Sequence, residues 1–434
     1  MQRHTHTSYL VSLNHFPKGP LTDHQRHLHI KAHEKTVPPD TIPDDALSLL
    51  HTYEKAGRPA PMTTYSRLIA ALFRTPSSLA HAQAWDLFAH MRYVAHPEPD
   101  ALLFTQMINA CAMPTPAEPE RALDLFTEMT VDRRIPPTVG AYNAAILACA
   151  RSGAKTYVNE AFRLAKEMLD AHRDAHGRGA FRPDSHTFGA LLEGAKRIGD
   201  LGRARWILAE MVEAVRQNPE SRDVVIDERI MMHVFHAYAA YRPPFKRSMA
   251  PLVADPNKGD AEPIEEAASS SSSPVEAPPS HEPSFAHLPP QSSAEVIGEA
   301  RALFSRISRT PPPQARGTSD AAALPALPDV CVTPRLLNAY LAVFYAHASL
   351  ETAHEMFRTV FAQEGVEKGA HTLVVALEYC ARVCRRGPNR TPAMVFAEEA
   401  WRAWTTLENA PQNGLLSARY IQRAYAARIR IHAL

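Results

Sequence analysis

The chain has 434 residues, of which 45% are apolar and 21% charged, with 47 basic against 46 acidic side chains. That is a globular composition, and no apolar run approaches the roughly 18 to 20 residues of a membrane-spanning helix, so no span is expected. Five cysteines in so long a chain exclude a disulfide scaffold and favour a reducing compartment.

Residues 1–40 read as a flexible N-terminal tail. It holds His4, His6, His15, His24, His27, His29 and His33 at irregular spacing, with no helix start to order them, so a loose segment is expected rather than a metal site. Through Lys35 it carries five basic and two acidic residues, with no acid before Asp23. Poverty in acids suits a targeting segment, although the Arg and Ser enrichment of a transit peptide is lacking.

From residue 41 onward the chain repeats itself. Ala84, Leu87, Phe88 and Met91 match Ala122, Leu125, Phe126 and Met129 at an interval of 38 residues. The same stripe returns at Ala46, Leu49, Leu50 and Tyr53, at Ala161, Leu164, Ala165 and Met168, and at Ala204, Ile207, Leu208 and Met211. Further on it reads Ala300, Leu303, Phe304 and Ile307, then Ala353, Met356, Phe357 and Val360. Offsets of 0, 3, 4 and 7 mark one face of an α-helix.

A second helix precedes most of these stripes: Tyr65, Leu68, Ile69, Leu72; Phe104, Met107, Ile108, Cys111; Tyr142, Ala145, Ile146, Cys149; Phe188, Leu191, Leu192; and Met231, Val234, Phe235. Small residues recur at one slot of these helices (Ala71, Ala110, Ala148, Gly194, Ala237), which predicts close approach of a neighbour. Antiparallel helix pairs that cannot bury their apolar faces alone must stack side by side, and an all-α α-solenoid follows. Turns with proline join the units at Pro99-Asp100, Pro136-Pro137 and Pro183-Asp184, where Asp or Thr can cap the next helix.

The array is expected to span 41–242 and to resume, in degenerate form, over 294–434. Between them, 243–293 is rich in Ser, Pro and acidic residues, and a second proline-rich stretch covers 309–329. Both are expected to be disordered insertions, because they hold too little apolar surface to offset chain entropy. Residues 250–299 contain Lys258 and nine acidic groups, which leaves 46 basic and 37 acidic groups elsewhere. A polyanion partner is therefore admissible.

Pro-Asp followed four residues later by an aromatic and a small polar residue (Asp100 to Phe104-Thr105), with its variant Thr138 to Tyr142-Asn143, and the Ala-x-x-Leu-Phe-x-x-Met stripe together resemble the pentatricopeptide repeat family. The resemblance is clearest from Asp44 to Asp227. It weakens from Ser293 to the C-terminus, where Leu337-Asn338 and Ala353 to Val360 still fit. The units depart from the family's 35-residue period, running to roughly 38 to 46 residues.

The resemblance implies a right-handed α-solenoid, a PPR-like superhelix that binds single-stranded RNA, one base per unit, read by the fifth and last residues of each unit. Carried over by position, the pairs are Ser66 with Asp100, Thr105 with Thr138, Asn143 with Asp184, Gly189 with Asp227, and Asn338 with Lys368. Ser66 with Asp100 resembles a guanine reader and Asn143 with Asp184 a uracil reader, while the others are off pattern. Met232 offers no polar edge. Residues one step into each unit (Thr63, Leu102, Gly140, His186, Arg229, Arg335) would sandwich the bases, with Arg229 and Arg335 suited to stacking or to holding phosphate. Ser, Thr and Asn near helix starts serve equally well as caps, and that reading stands beside the first.

A C-terminal helix is expected from Leu415 to Ile431, with Arg419, Arg423 and Arg430 along one face, either to grip phosphates or as a solvated surface. Catalytic signatures are missing: there is no phosphate-cradling Gly-x-x-x-x-Gly-Lys, no Gly-x-Ser-x-Gly and no His-Glu-x-x-His. Clustered carboxylates for a two-metal nuclease are also missing. Cys380 and Cys384, followed by Arg385 and Arg386, lack two further zinc ligands nearby, and Cys111 and Cys149 occupy the same repeat position, so these thiols are expected to pack the core. No enzyme, metal or cofactor is expected. The family resemblance points to mitochondrial RNA processing, stability or translation, including ribosomal RNA maturation, in the matrix. The alternative is a protein-binding scaffold associated with the mitochondrial ribosome or with respiratory-complex assembly.

Overall fold

The computed structural model describes residues 21–38, 41–113, 117–170, 181–217, 223–244, 289–308, 327, 330–384, 389–410 and 416–433. Among them, every regular element is a helix. In chain order these are α1 Asp23–Thr36, α2 Asp44–Lys55, α3 Met62–Arg74, α4 Ser78–Val94, α5 Ala101–Ala110, α6 Pro119–Thr127, α7 Val139–Arg151, α8 Lys155–Asp170 and α9 Ser185–Ile198. There follow α10 Leu201–Gln217, α11 Glu228–Ala240, α12 Ser293–Ser305, α13 Pro334–His347, α14 Leu350–Gln363, α15 Ala370–Val383, α16 Arg390–Glu408 and α17 Ala418–His432. A π-helical turn, Glu128–Asp132, extends α6.

The chain divides into two compact units, Met1–Ile198 and Gly199–Leu434. In the first, α1, α3, α5, α7 and α9 pack one against the next as a layer, and α2, α4, α6 and α8 each pack on the odd-numbered helix before them. The second repeats this scheme, with α11, α13, α15 and α17 in one layer and α12, α14 and α16 beside them. Where the connector is short, consecutive helices run antiparallel. Each unit is thus an α-solenoid of stacked helix pairs.

The periodic stripes are what hold the pairs together. Ala84, Leu87, Phe88 and Met91 are buried, as are Ala122 to Met129, Ala161 to Met168, Ala204 to Met211 and Ala300 to Ile307 at the same offsets. At three junctions an aromatic of an even-numbered helix meets one in the first turns of the next odd-numbered helix. Phe88 lies edge-on to Phe104 with centroids 6.3 Å apart, Phe126 lies 5.1 Å from Tyr142, and Phe304 stacks on Tyr340 at 4.2 Å. Such contacts lock unit to unit beyond simple area burial.

Gly194 shows why a small residue recurs at its slot. A Cβ there would sit 3.2 Å from both Ala150 Cβ and Val158 Cγ1. The turn chemistry also follows expectation, since Asp100, Thr138, Asp227 and Thr333 each accept a hydrogen bond from the backbone amide three residues on.

Three expectations need correction or restriction. Residues 23–36, expected within a loose tail, form α1, because Thr22 and Gln25 make a reciprocal capping box and Arg26, Ile30 and Ala32 bury a narrow face. That helix packs on α2 and α3, although its polar composition hides it from periodicity. Residues 245–288 of the 243–293 insertion, and 309–329 except Leu327, lie outside the described residues. The chain re-enters structure at residue 289, so Glu295 and Glu299 belong to the folded part and trim its positive excess. The C-terminal helix begins at Ala418, three residues later than expected.

Candidate nucleic-acid interface

In the first unit the fifth-position residues fall along the odd-numbered layer, and the Asn143 side chain bonds forward to the cap of the next odd-numbered helix. The half-buried Ser66 of α3 donates its hydroxyl to Met62 O, 3.2 Å away, while its own carbonyl accepts from Gln106 Nε2 of α5 at 3.1 Å. Thr105 of α5 donates to Ala101 O at 2.7 Å. Its methyl faces α7, where a Cβ on Gly140 would lie 3.5 Å from Thr105 Cγ2 and 3.6 Å from Thr138 Oγ1.

Asn143 of α7 continues the row, because its amide Nδ2 donates to Asp184 Oδ1 at 3.1 Å. Its Oδ1 accepts from the Thr187 hydroxyl at 2.6 Å. Asp184 is also the cap of α9, taking the Thr187 amide at 2.8 Å. The second Asn143 amide hydrogen and Asp184 Oδ2 have no partner among the described residues. A base edge presenting one acceptor and one donor could use both.

The other proposed readers are placed differently. Asp100 is exposed and caps α5 through Leu103 N at 2.8 Å, with no hydrogen bond to Ser66. Thr138 is exposed and caps α7 through Ala141 N at 3.1 Å. Gly189 is buried. Asp227 belongs to the second unit, where it is exposed and caps α11 through Ile230 N at 2.9 Å. Asn338 is half-buried on α13, and the Lys368 ammonium sits 4.4 Å from the centre of the Phe357 ring. Burial lowers the Lys368 pKa, against the pull of Glu399.

The stacking candidates share one property. Thr63, Gly140, His186, Arg229 and Arg335 are all exposed, and Leu102 is 69% exposed despite being apolar. In the second unit, Thr333 at the start of α13 donates to Glu228 at the start of α11. That contact brings the first turns of the two helices together, and with them Arg229 and Arg335. Exposed guanidinium groups beside two helix N-termini suit an anion.

The C-terminal basic stripe is partly spent. Arg423 forms a two-pronged pair with Glu378, both contacts at 2.9 Å, whereas Arg419 and Arg430 are exposed. The Arg423 hydrogen bond, ahead of other neighbours, holds the Glu378 carboxyl below its usual range. Arg428, which the stripe did not include, pairs with Glu398 at 2.7 Å.

Sequence reasoning missed Gln106 and Thr187, which tie the row together, and His371, the exposed residue in the corresponding first turn of α15. Thr187 had a signal in its place three residues after Asp184, the spacing of a cap. The thiols of Cys111, Cys149, Cys380 and Cys384 are buried. Burial pushes the first two up to about 12, the mark of core packing rather than reactivity. Arg385 and Arg386 lie outside the described residues.

No family model matches the chain, and no curated protein matches it in sequence. Among solved structures it is similar to the pentatricopeptide repeat protein PPR10 from maize, at 13% identity and a TM-score of 0.47, over 95% of this chain and 45% of that one. The chain thus spans less than half the length of that relative. No helix among the described residues is long and apolar enough to cross a membrane.

Proposed function

We propose that the chain is a single-stranded RNA-binding repeat protein that works by holding RNA along its odd-numbered helices, without chemistry of its own. One observation carries the reading. Ser66, Thr105 and Asn143 occupy the same slot of successive helices packed one on the next, so a strand laid along α3, α5 and α7 would meet them in order.

Two features support it. The residues expected to sandwich bases are exposed, Leu102 among them, and an exposed apolar side chain next to polar readers is a stacking surface. Arg229 and Arg335 share one end of neighbouring helices and provide positive charge for phosphates. Of the readers, Asn143 with Asp184 is the pair the geometry favours, because the two act as one polar group.

The mitochondrial matrix is the proposed site of action, with a role in RNA processing, stability or translation, ribosomal RNA maturation included. Support comes from the pentatricopeptide resemblance and the absence of acids before Asp23. A fluorescent fusion co-localising with mitochondria would agree, and a cytosolic distribution would reject this part alone.

The binding claim is tested by titrating the protein with mixed-sequence single-stranded RNA at several salt concentrations. Micromolar or tighter binding whose logarithm falls steeply with the logarithm of salt is expected. Indifference to RNA would sink the reading and leave the protein-binding scaffold. That reading is favoured by one observation, the use of Asp100, Thr138 and Asp227 as caps.

A further inference from the structure

In the first unit, away from the row of readers, three side chains converge between two even-numbered helices. His51 and Glu54 stand one turn apart on α2, and His90 comes from α4. Glu54 Oε2 lies 2.9 Å from His51 Nδ1 and 2.9 Å from His90 Nε2. The three candidate ligand atoms all fall within 4.8 Å of one another, and the two imidazoles meet edge to face with centroids 5.2 Å apart.

The carboxylate is the informative member. Its side chain is only 5% exposed, yet among the described residues its charged partners are two imidazoles, which carry a positive charge only when protonated. Glu34, equally buried at 8% exposure, is met instead by the guanidinium groups of Arg67 and Arg74. A nearly buried carboxylate needs a matching cation. At Glu54 the sequence supplies two nitrogen ligands in place of a fixed charge.

The second oxygen is accounted for. Tyr65, fully buried on α3, donates its hydroxyl to Glu54 Oε1 and so fixes the carboxylate with Oε2 turned to the histidines. An outer hydrogen bond that orients a ligand in this way is typical of metal centres.

We propose that His51, Glu54 and His90 form a binding site for a borderline divalent transition metal, zinc being the expected ion. Two imidazoles and one carboxylate exclude magnesium and calcium, which take oxygen ligands. With bonds of about 2.0 Å, three ligands of a tetrahedral shell stand roughly 3.3 Å apart, so each 2.9 Å contact of Glu54 Oε2 would open by a few tenths of an ångström on metal binding. Water would fill the fourth position. The metal would clasp α2 to α4, and so the first helix pair to the second, independently of whether the odd-numbered layer holds RNA.

The test uses the full chain, stripped with a chelator and titrated with zinc chloride, with cobalt(II) absorption as a geometric probe. His51→Ala and His90→Ala are suitable variants, since these side chains are 46% and 38% exposed and leave the core intact. His24→Ala serves as the control for binding by other histidines. One zinc equivalent should disappear in each site variant and remain in the control. Zinc should raise the melting temperature of the wild type and of the control but not of the site variants. Tyr65→Phe should bind about tenfold more weakly or worse. Equal stoichiometry and equal thermal response in wild type, His51→Ala and His90→Ala would overturn the proposal. So would a wild type that does not respond to zinc.

Discussion

Asn143 and Asp184 lie 41 residues apart in the chain and 3.1 Å apart in space, and the carboxylate that receives the Asn143 amide also caps α9. A residue placed as a base reader is therefore a structural tie as well. Asp184→Ala should cost about 2 kcal/mol, one part from the lost cap and one from the lost hydrogen bond, whereas Asn143→Ala should cost about 1 kcal/mol. The double variant should cost less than the two combined, because the bond between them can be lost only once. Denaturant unfolding of the four proteins checks the energies. RNA titration of Asn143→Ala, the milder change, checks the reading, with weaker binding expected at a temperature where the variant is still fully folded.

Phe126 fills the junction between α6 and α7, where its ring lies 5.1 Å from Tyr142. Phe126→Ala removes most of that contact and leaves a cavity in a wall shared by two helix pairs, at about 3 to 5 kcal/mol. Phe126→Leu should lose less than half as much, since it keeps most of the volume. Thermal unfolding of both variants distinguishes packing from any surface role.

The helix stripes were legible because burial imposes a 3.6-residue period on them, and Ala84 to Met91 or Ala122 to Met129 can serve no other face. What the sequence could not separate is capping from reading. Asp100, Thr138 and Asp184 stand where a helix start wants an oxygen and where a base reader wants one too, so one residue type satisfies both. Helix α1 was missed for a different reason. It buries only Arg26, Ile30 and Ala32, too few apolar residues to show a period, and its signal was the Thr22 and Gln25 capping box. The triad of His51, Glu54 and His90 joins positions 36 residues apart, which only the stacking of pairs brings together.

Gly199 adopts φ +68°, and a Cβ there would come within 2.9 Å of the Ala240 carbonyl oxygen. Gly199→Ala therefore meets two penalties, the left-handed backbone at about 1 to 2 kcal/mol and a clash with a backbone atom that cannot turn aside. Gly153 has φ +73° with open space around its missing side chain. Gly153→Ala should show the backbone penalty alone, and a larger fall in melting temperature for Gly199→Ala is the expected result.

Acid should weaken the fold in two separate windows. Burial lowers the pKa of His347, partly opposed by the hydrogen bond of its Nε2 to the Tyr238 carbonyl, 2.9 Å away. Burial lowers the half-buried His27 and His29 as well. A histidine with a depressed folded pKa binds its proton first in the unfolded chain. Stability is then full above about pH 6.5, declines as the pH falls from there towards the folded value, and is flat below it. Each such group contributes at most about 1.4 kcal/mol per pH unit within its window. Glu378, held low by Arg423, behaves in the opposite sense of charge, and its contribution is lost only below about pH 4. His347→Gln keeps a side-chain N–H that can donate to Tyr238 and cannot titrate. Unfolding measured from pH 7.5 to 5.0 should show a shallower decline for this variant than for the wild type, and parallel curves would mean that His347 is as easily protonated in the fold as out of it.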